Sequence, residues 1–478
     1  MIPVRTKLGH VCLLLAGSVV GVGTANADPW SDPFQTAASL HRRTPQLTDP
    51  LGRVCTTPTG TLSLAVAIDL ALCRNPTTRS AWAAARQQAA ALGVADSAWL
   101  PEISATGTAS RTFGTHTDAS GNTVSTPENT GDAALNLSWT LYDFGARSGR
   151  IMSASRMLDA AAATANSVSQ QTVLNVVQAF YGVVAADASL LAAKSAEAAY
   201  ARSLEVAHAR REGGAATLAD VLQADTALNE AALVLVQAET ATKSSRGTLA
   251  ITIGSPADEP LVLDAEPVPA EVPALRGHVS DLMAQAAQQR PDLAAARAQR
   301  DAAQADIEVA RAAGRPSISL SAGTDFIAAT GVPHQRYNMV GVTVTVPVFT
   351  GFNVAYGVRQ AQSVLESREA SAEQARLNVS LDVWNGYYAL DSANQQLIVT
   401  AALIRSAQEN EEVALGRYQA GVGTIIDLLT AQSAAVNARQ QRINVELGWQ
   451  VARAQFALAL GRLTGAEPLK DRTIFRSN

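Results

Sequence analysis

The chain has 478 residues, of which 17% are charged and 5% are aromatic, and its formal net charge is −5. It contains no basic run and no basic patch interleaved with aromatic residues, which excludes nucleic acid as a partner. Alanine fills the long helical stretches. Small side chains let helices approach closely but bury little area each, so this composition favours laterally packed helices over one thick core.

The N-terminal segment has the pattern of a cleaved secretory signal. Arg5 and Lys7 precede an apolar stretch at 11–22, and Ala25-Asn26-Ala27 places small residues at a cleavage site. We therefore predict a Sec-type signal peptide at residues 1–27. The alternative is a transmembrane anchor, but an apolar stretch of this length is too short to span a bilayer. No later stretch has about 20 consecutive apolar residues, so no transmembrane helix is expected.

Two cysteines, Cys55 and Cys73, follow the predicted cleavage site. In an oxidising compartment an isolated pair at this spacing predicts a disulfide. The bond would link a proline-rich, mostly irregular N-terminal extension (28–60) to the first helix. Two buried free thiols are the alternative.

Residues 61–254 are predicted to form a first structural repeat. A helix from about 61 to 99 is interrupted at Asn75-Pro76, and the alternating stretches 103–109 and 135–141 predict a β-hairpin with a long loop. From 146 to about 211 there is no proline. A helix of that length would be about 100 Å long. After a glycine break, a return helix runs from 217 to about 253.

A second repeat is predicted at 276–461, after a proline-rich linker (255–275) and before a tail (462–478). Its hairpin strands lie at 318–322 and 340–348. Matching residues are 215 positions apart up to the first strand and 207 apart from Leu141 to Gly254. The offset changes inside the hairpin, where a loop can vary in length. The chain is therefore an internal duplication.

Each repeat has a glycine break between its two long helices, followed by a threonine and then an aspartate three residues later. The matching positions are Gly214, Thr217 and Asp220 in the first repeat and Gly421, Thr424 and Asp427 in the second. A threonine can cap the helix that follows, and a negative charge is favourable in the first helical turn. The internal duplication is therefore centred on a helix–turn–helix tip in each repeat.

The strands alternate apolar and polar residues, a pattern shared by membrane β-barrels and by soluble sheets with one solvated face. Aromatic residues near the strand ends, such as Trp139 and Phe352, suit a membrane interface. Four strands cannot close a membrane barrel, and lipid does not tolerate open sheet edges. Either the sheet is soluble or several copies share one barrel; the secretory signal favours the shared barrel.

This arrangement resembles the TolC family of outer-membrane channels. The similarity includes Trp139-Thr-Leu-Tyr-Asp-Phe-Gly-Ala-Arg147 and both tips, and Ala71-Leu-Cys-Arg-Asn-Pro-Thr-Thr-Arg-Ser-Ala-Trp82 is most similar to members of the type I secretion branch. The resemblance implies a mainly α fold with β: an internally duplicated long-helix coiled-coil barrel, plus four strands per chain in a shared transmembrane β-barrel of a homotrimer. It also implies an outer-membrane location in a Gram-negative bacterium, with a long periplasmic part.

The resemblance implies partners and site residues as well. The partners are a periplasmic adaptor, an inner-membrane ABC transporter, outer-membrane lipid and an exported protein or small molecule. Asp220 and Asp427 match inward-facing acidic positions, which would form a cation-attracting ring, and Arg417 and Tyr418 are possible members of a closing latch. The candidates for adaptor docking are Gly214, Thr217, Gly421, Val422, Gly423 and Thr424. Ordinary helix-turn chemistry is the alternative role for the docking residues, and helix capping for the aspartates.

The chain departs from the family pattern at Gln223, Thr430 and Gly423, where an acidic or basic residue is expected. No histidine or cysteine spacing indicates a metal site, and we predict no cofactor and no enzymatic activity. Two other hypotheses stay open. One is the outer-membrane component of a drug or metal efflux pump, and the other is a soluble periplasmic coiled-coil adaptor or structural rod.

Overall fold

The computed structural model describes residues 32–44, 55, 60–117, 120–125, 128–265, 278–330 and 333–463. The predicted signal peptide, most of the 28–60 extension and nearly all of the C-terminal tail lie outside the described residues. Half of the predicted linker does so too.

The helices of the two predicted repeats match each other in order and length. Those of the first are α2 (Leu64–Arg74), α3 (Pro76–Ser97), α4 (Ala146–Glu212) and α5 (Leu218–Thr252). Those of the second are α6 (Val279–Gln289), α7 (Pro291–Ala312), α8 (Asn353–Gln419) and α9 (Ile425–Ala459). Both α4 and α8 have 67 residues, and both α5 and α9 have 35. Helix α8 starts and ends 207 positions after α4, and α9 starts and ends 207 positions after α5, as the sequence predicted.

An additional helix, α1 (Thr36–Arg43), lies in the extension that we expected to be mostly irregular. The backbone N–H groups of Thr36 and Ala37 donate to the Asp32 carboxylate at 2.9 and 3.0 Å. These hydrogen bonds hold the pKa of Asp32 below its usual range. Leu40 is buried together with Trp82 and Leu158 from α3 and α4. Tertiary packing therefore stabilises a helix that is too short to persist alone.

The main sheet has four antiparallel strands in the order β2-β5-β7-β8. They are β2 (Glu102–Thr112), β5 (Glu128–Tyr142), β7 (Ser317–Ala329) and β8 (Gln335–Thr345). The strands are mostly longer than predicted, and part of the expected first-hairpin loop forms the short pair β3 (Thr115–Thr117) and β4 (Thr123–Ser125). Two further residues of the predicted linker form β6 (Leu263–Asp264), which pairs in parallel with β1 (Leu62–Ser63).

In the part of the main sheet nearest the helices, the strand register separates apolar from polar side chains. One row of directly paired residues is apolar: Ile103, Leu137, Ala322 and Val340. The neighbouring row is polar or small: Glu102, Ser138, Ser321 and Gly341. Because adjacent residues of a strand point to opposite faces, this part of the sheet has one apolar face and one polar face.

The long helices form two hairpins, α4 with α5 and α8 with α9, and the α4–α9 contact joins the two halves. Within the described residues, α4 alone contains a segment apolar and long enough to cross a membrane by length and composition. The sequence predicted no transmembrane helix. Since α4 packs against α3, α5, α7 and α9, we interpret it as a core helix.

At the end of each return helix, an equivalent glycine lies against the junction between the two short helices of the same repeat. Gly254 follows α5 with φ +82°, and a Cβ there would lie 2.8 Å from the backbone carbon of Arg74. Gly461 follows α9 with φ +72°, and its Cβ would lie 2.9 Å from the carbonyl oxygen of Gln289. Only glycine satisfies both the left-handed conformation and the close approach.

Candidate functional site at the helical tips

Each long helix ends in a left-handed glycine that reverses the chain. Gly214 has φ +74° and Gly421 has φ +81°. The N–H of Ala215 then donates to the carbonyl of Arg210 at 2.8 Å, and that of Val422 to the carbonyl of Arg417 at 3.0 Å. These bonds satisfy carbonyls left free at the end of the helix. The two tips therefore share one backbone design.

Each return helix begins with a reciprocal capping box. The Asp220 N–H donates to Thr217 Oγ1 at 3.2 Å, and the Thr217 N–H donates to Asp220 Oδ2 at 2.7 Å. Thr424 and Asp427 repeat the arrangement at 3.1 and 3.2 Å. The sequence predicted the threonine cap and the favourable charge, and the reciprocal carboxylate contact is the part it missed. The Thr-x-x-Asp spacing carries that signal.

The capping hydrogen bonds change the pKa of Asp427, the aspartate of the second tip. Hydrogen bonds with the side chain and backbone of Thr424, together with the charge of Arg417, hold the pKa of Asp427 below its usual range. Its carboxylate is therefore ionised at neutral pH.

The two tips are joined by Arg210, which is not among the site residues predicted from the sequence. The Arg210 guanidinium lies over the Tyr418 ring, with Cζ 4.4 Å from the ring centroid, and it also donates a short hydrogen bond to the Tyr418 carbonyl. A cation above an aromatic face is attracted by the ring quadrupole. Arg210 is the first-half equivalent of Arg417, so the duplication itself could have indicated it.

The predicted latch pair is only partly assembled within one chain. Tyr418 is buried in a small tip core together with Val221, Ile425 and Leu428. Burial raises the pKa of the Tyr418 phenol, because the charged form is poorly solvated there. Arg417, by contrast, is exposed. Its role in a latch stays a prediction.

The candidate docking residues lie on the outside of the tips. Gly214, Thr217, Gly421 and Val422 are exposed, as is Thr424. Gly423 is half-buried, and a Cβ there would lie 3.2 Å from Arg417 Cβ and from the Tyr418 backbone nitrogen. A side chain at this position must therefore displace its neighbours. The variant Gly423→Arg is therefore a poor test of whether a basic residue is needed at this position, because it would also disturb the packing of the tip.

The predicted cysteine pair lies at the opposite end of the helices. The structure places Cys55 and Cys73 in a disulfide, with Cα atoms 6.1 Å apart, within the usual range for such a bond. Arg74 also donates to the Cys55 carbonyl at 2.7 Å. Among the described residues there is no group of histidine, cysteine and acidic side chains that could hold a metal ion.

Comparisons with known proteins indicate the nature of this arrangement. A family model described as outer membrane efflux protein matches residues 67–255 and 282–462. Protein CyaE of Bordetella pertussis is 31% identical over 389 residues, 80% of each chain. Toluene efflux pump outer membrane protein TtgC of Pseudomonas putida is 28% identical over 301 residues, 60% of each chain.

Solved structures share the fold. The outer-membrane channel OprN superimposes with a TM-score of 0.73 at 23% identity, covering 83% of this chain and 89% of that one. The outer membrane protein VceC of Vibrio cholerae gives 0.71 at 19% identity, covering 84% of this chain and 97% of that one.

Proposed function

Because the chain belongs to the outer membrane efflux protein family, which confirms the TolC-type resemblance, we propose that it is the outer-membrane exit duct of a tripartite export system. It is a transport protein rather than an enzyme. The duct conducts cargo passively across the periplasm and the outer membrane. An inner-membrane ABC transporter, linked through a periplasmic adaptor, supplies the energy.

The main sheet is the observation that carries this proposal. Its outer strands β2 and β8 each pair on one side only in the described residues. On its apolar face, Ile103 is 64% exposed and Val340 is 78% exposed. Apolar rows of this kind suit lipid, but unpaired backbone groups at the edges do not. Pairing β8 of one copy with β2 of the next would satisfy both requirements.

Three copies would form a closed barrel of twelve strands, which exceeds the roughly eight strands of the smallest membrane barrels. The 67-residue helices would extend about 100 Å from that barrel at about 1.5 Å per residue. The tips then lie far from the outer membrane. We propose that the adaptor docks there, with Gly214, Thr217 and residues 421–424 as the contact surface.

The aspartates of the tips would face the axis of the assembled duct. Three copies of Asp220 and Asp427 would bring up to six carboxylates around one narrow opening, and a ring of that kind attracts cations and resists anions. The depressed pKa of Asp427 supports this role, since the ring needs ionised carboxylates. The capping boxes are compatible with it, because each carboxylate has two oxygens.

For the cargo, we propose a secreted protein exported by a type I system. The similarity to Protein CyaE, at 31% identity over four fifths of both chains, supports this choice. An efflux role is the second candidate, favoured by the similarity to the toluene pump component TtgC. The earlier alternative of a soluble periplasmic adaptor or rod is wrong, since the family model matches both halves of the chain.

The decisive experiment combines assembly with export. Purified from outer membranes in detergent, the protein is expected to cross-link as three copies and to form channels in planar bilayers. Deleting its gene is expected to remove one protein from the culture medium while drug sensitivity stays unchanged. Increased drug sensitivity with an unchanged set of secreted proteins would favour efflux instead. A monomer released by osmotic shock would contradict the duct itself.

A further inference from the structure

Among the long helices, the two halves of the chain meet where α4 packs against α9. At the end of the junction farther from the tips, Gln170 of α4 donates to the Gly461 carbonyl, which follows α9, at 3.1 Å. Towards the tips, Gln432 donates to the hydroxyl of Ser203 at 2.9 Å, and both residues are almost fully buried. The α4–α9 junction therefore runs along most of the length of α9 and about half of the longer α4.

The equivalent faces of α8 and α5 have no such partner among the residues that the structure describes. Leu174 and Val177 on α4 are 5% and 0% exposed, but their counterparts Leu381 and Trp384 on α8 are 56% and 45% exposed. On the return helices, Ile425 is 2% exposed and its counterpart Leu218 is 52% exposed. Within the described chain, α8 and α5 do not pack along each other as α4 and α9 do.

Resting on the proposed function, we propose that α5 of a second copy covers α8 in the register of the α4–α9 junction, and that this interface is weakened at the tip by two facing arginines. Head-to-tail contacts of this kind generate rings when the rotation closes. In a closed ring of repeats, each repeat uses the same two faces. Each contact between α4 and the second half of the same chain therefore predicts a contact between copies. The number of the α4 residue is raised by 207, and the number of its partner is lowered by 207.

Along the body of the helices, this rule yields compatible pairs. The buried pair of Ser203 and Gln432 becomes Asn410 against Asp225 of the neighbouring copy. An asparagine amide can donate to a carboxylate, so the polar contact is kept. The exposed Leu218 takes the place of Ile425 and is covered by the neighbouring α8. The body of the interface thus repeats the chemistry of the α4–α9 junction.

At the tip the rule gives a different result. The contact of Arg210 with Tyr418 becomes Arg417 against Arg211 of the neighbouring copy, so a cation replaces the aromatic ring. Both arginines are exposed in the single chain. Like charges repel, whereas Arg210 and Tyr418 attract. The ring of tips therefore alternates attractive junctions inside each chain with repulsive junctions between chains, and it opens between copies.

Cysteine cross-linking tests the register. In a background without Cys55 and Cys73, the variant with Asn410→Cys and Asp225→Cys is expected to link copies under mild oxidation, as is the variant with Arg211→Cys and Arg417→Cys. Failure of both pairs in a protein that still cross-links as a trimer through its lysines overturns the register alone. Absence of any trimer in the parent protein contradicts the proposed function instead.

Single-channel recording tests the charge effect. Arg211→Tyr places beside Arg417 the same residue that Arg210 already faces, so it is expected to abolish most of the resting conductance. Arg202→Tyr is the matched control, because Arg202 is exposed on the same helix and, among the described residues, donates only to the Ala198 carbonyl of its own helix. Unchanged conductance in Arg211→Tyr, with trimers intact, overturns the repulsive junction.

Discussion

Arg210 contacts Tyr418 at two points: its guanidinium lies 4.4 Å from the centre of the ring and donates to the carbonyl of the same residue. The two residues are 208 positions apart and close the ends of α4 and α8 respectively. This contact joins the two halves of the chain at the tip. It is also the contact whose loss would most directly free one tip from the other.

We predict that Arg210→Gln raises the resting conductance of the channel, because it removes the attraction of about 0.5–2 kcal/mol that a cation gains over an aromatic ring. Tyr418→Phe is expected to leave the conductance unchanged. The buried Tyr418 hydroxyl has no hydrogen-bond partner in the described part of the chain, and the ring face is retained. Bilayer recordings would check both variants. A wild-type conductance in Arg210→Gln would show that the contact does not restrain the tips.

We predict that Asp220→Asn with Asp427→Asn lowers cation selectivity and removes block by multivalent cations. Asparagine keeps a side-chain oxygen that can serve the capping box, whereas alanine would also remove the hydrogen bond to the threonine N–H. Reversal potentials in a salt gradient measure the selectivity. Asp187→Asn is the control, because Asp187 pairs with Arg246 at 3.1 Å in the body of the helices. Equal block in the double variant and the parent would exclude a carboxylate ring.

The pH dependence of that block tests the origin of the low Asp427 pKa. Hydrogen bonds with Thr424 favour the carboxylate, so its charge persists below the usual pH range of an aspartate and is lost as the pH falls through the lowered pKa. The capping contribution to stability is lost over the same pH interval. Thr424→Val removes the hydroxyl and raises the pKa. Block is then expected to disappear at a higher pH than in the parent.

The control for this experiment is Thr226→Val, because within the described part of the chain that hydroxyl donates only to the Leu222 carbonyl of its own helix, at 2.8 Å. An identical pH profile for Thr424→Val and the parent would mean that the hydroxyl does not set the charge of the ring.

We predict that Gly461→Ala lowers the free energy of unfolding by about 1–3 kcal/mol, the usual cost of a residue held in a disfavoured backbone conformation. Its φ is +72°, and the added Cβ would meet the Gln289 carbonyl. Gly448→Ala is the matched control within α9, since nothing lies within 4 Å of its Cβ. That control gains helix propensity, up to about 1 kcal/mol. Denaturant unfolding followed by circular dichroism distinguishes the two; equal stability would contradict the close approach.

For Cys55 and Cys73, we predict a disulfide in the mature protein. A thiol assay under denaturing conditions is expected to find no free thiols before reduction and two after it. Closing a loop of 18 residues stabilises a chain by about 3 kcal/mol in the chain-entropy model. The variant carrying Cys55→Ser and Cys73→Ser should unfold at a correspondingly lower denaturant concentration. Two free thiols in the unreduced protein would contradict the bond.

Most of the tip could be predicted from the sequence because its determinants are local. Glycine is the usual residue where a helix ends in the left-handed conformation, as α8 does at Gly421. Thr424 and Asp427 form a capping box because they are three residues apart. The partner of Tyr418 could not be predicted from local pattern. Arg417 precedes it in the chain, but the packing of α4 against α9 brings Arg210 to its ring instead.

The sequence alone determined the duplication, the lengths of the long helices and the alternation of the strands, since these depend on periodicity and on the positions of glycine and proline. The tertiary structure decided what depends on residues distant in the chain: the helix α1, which requires Leu40 to pack beside Trp82, and the different exposure of equivalent residues such as Val177 and Trp384. Two equivalent faces carry the same pattern, but only one of them has its partner within the described part of the same chain.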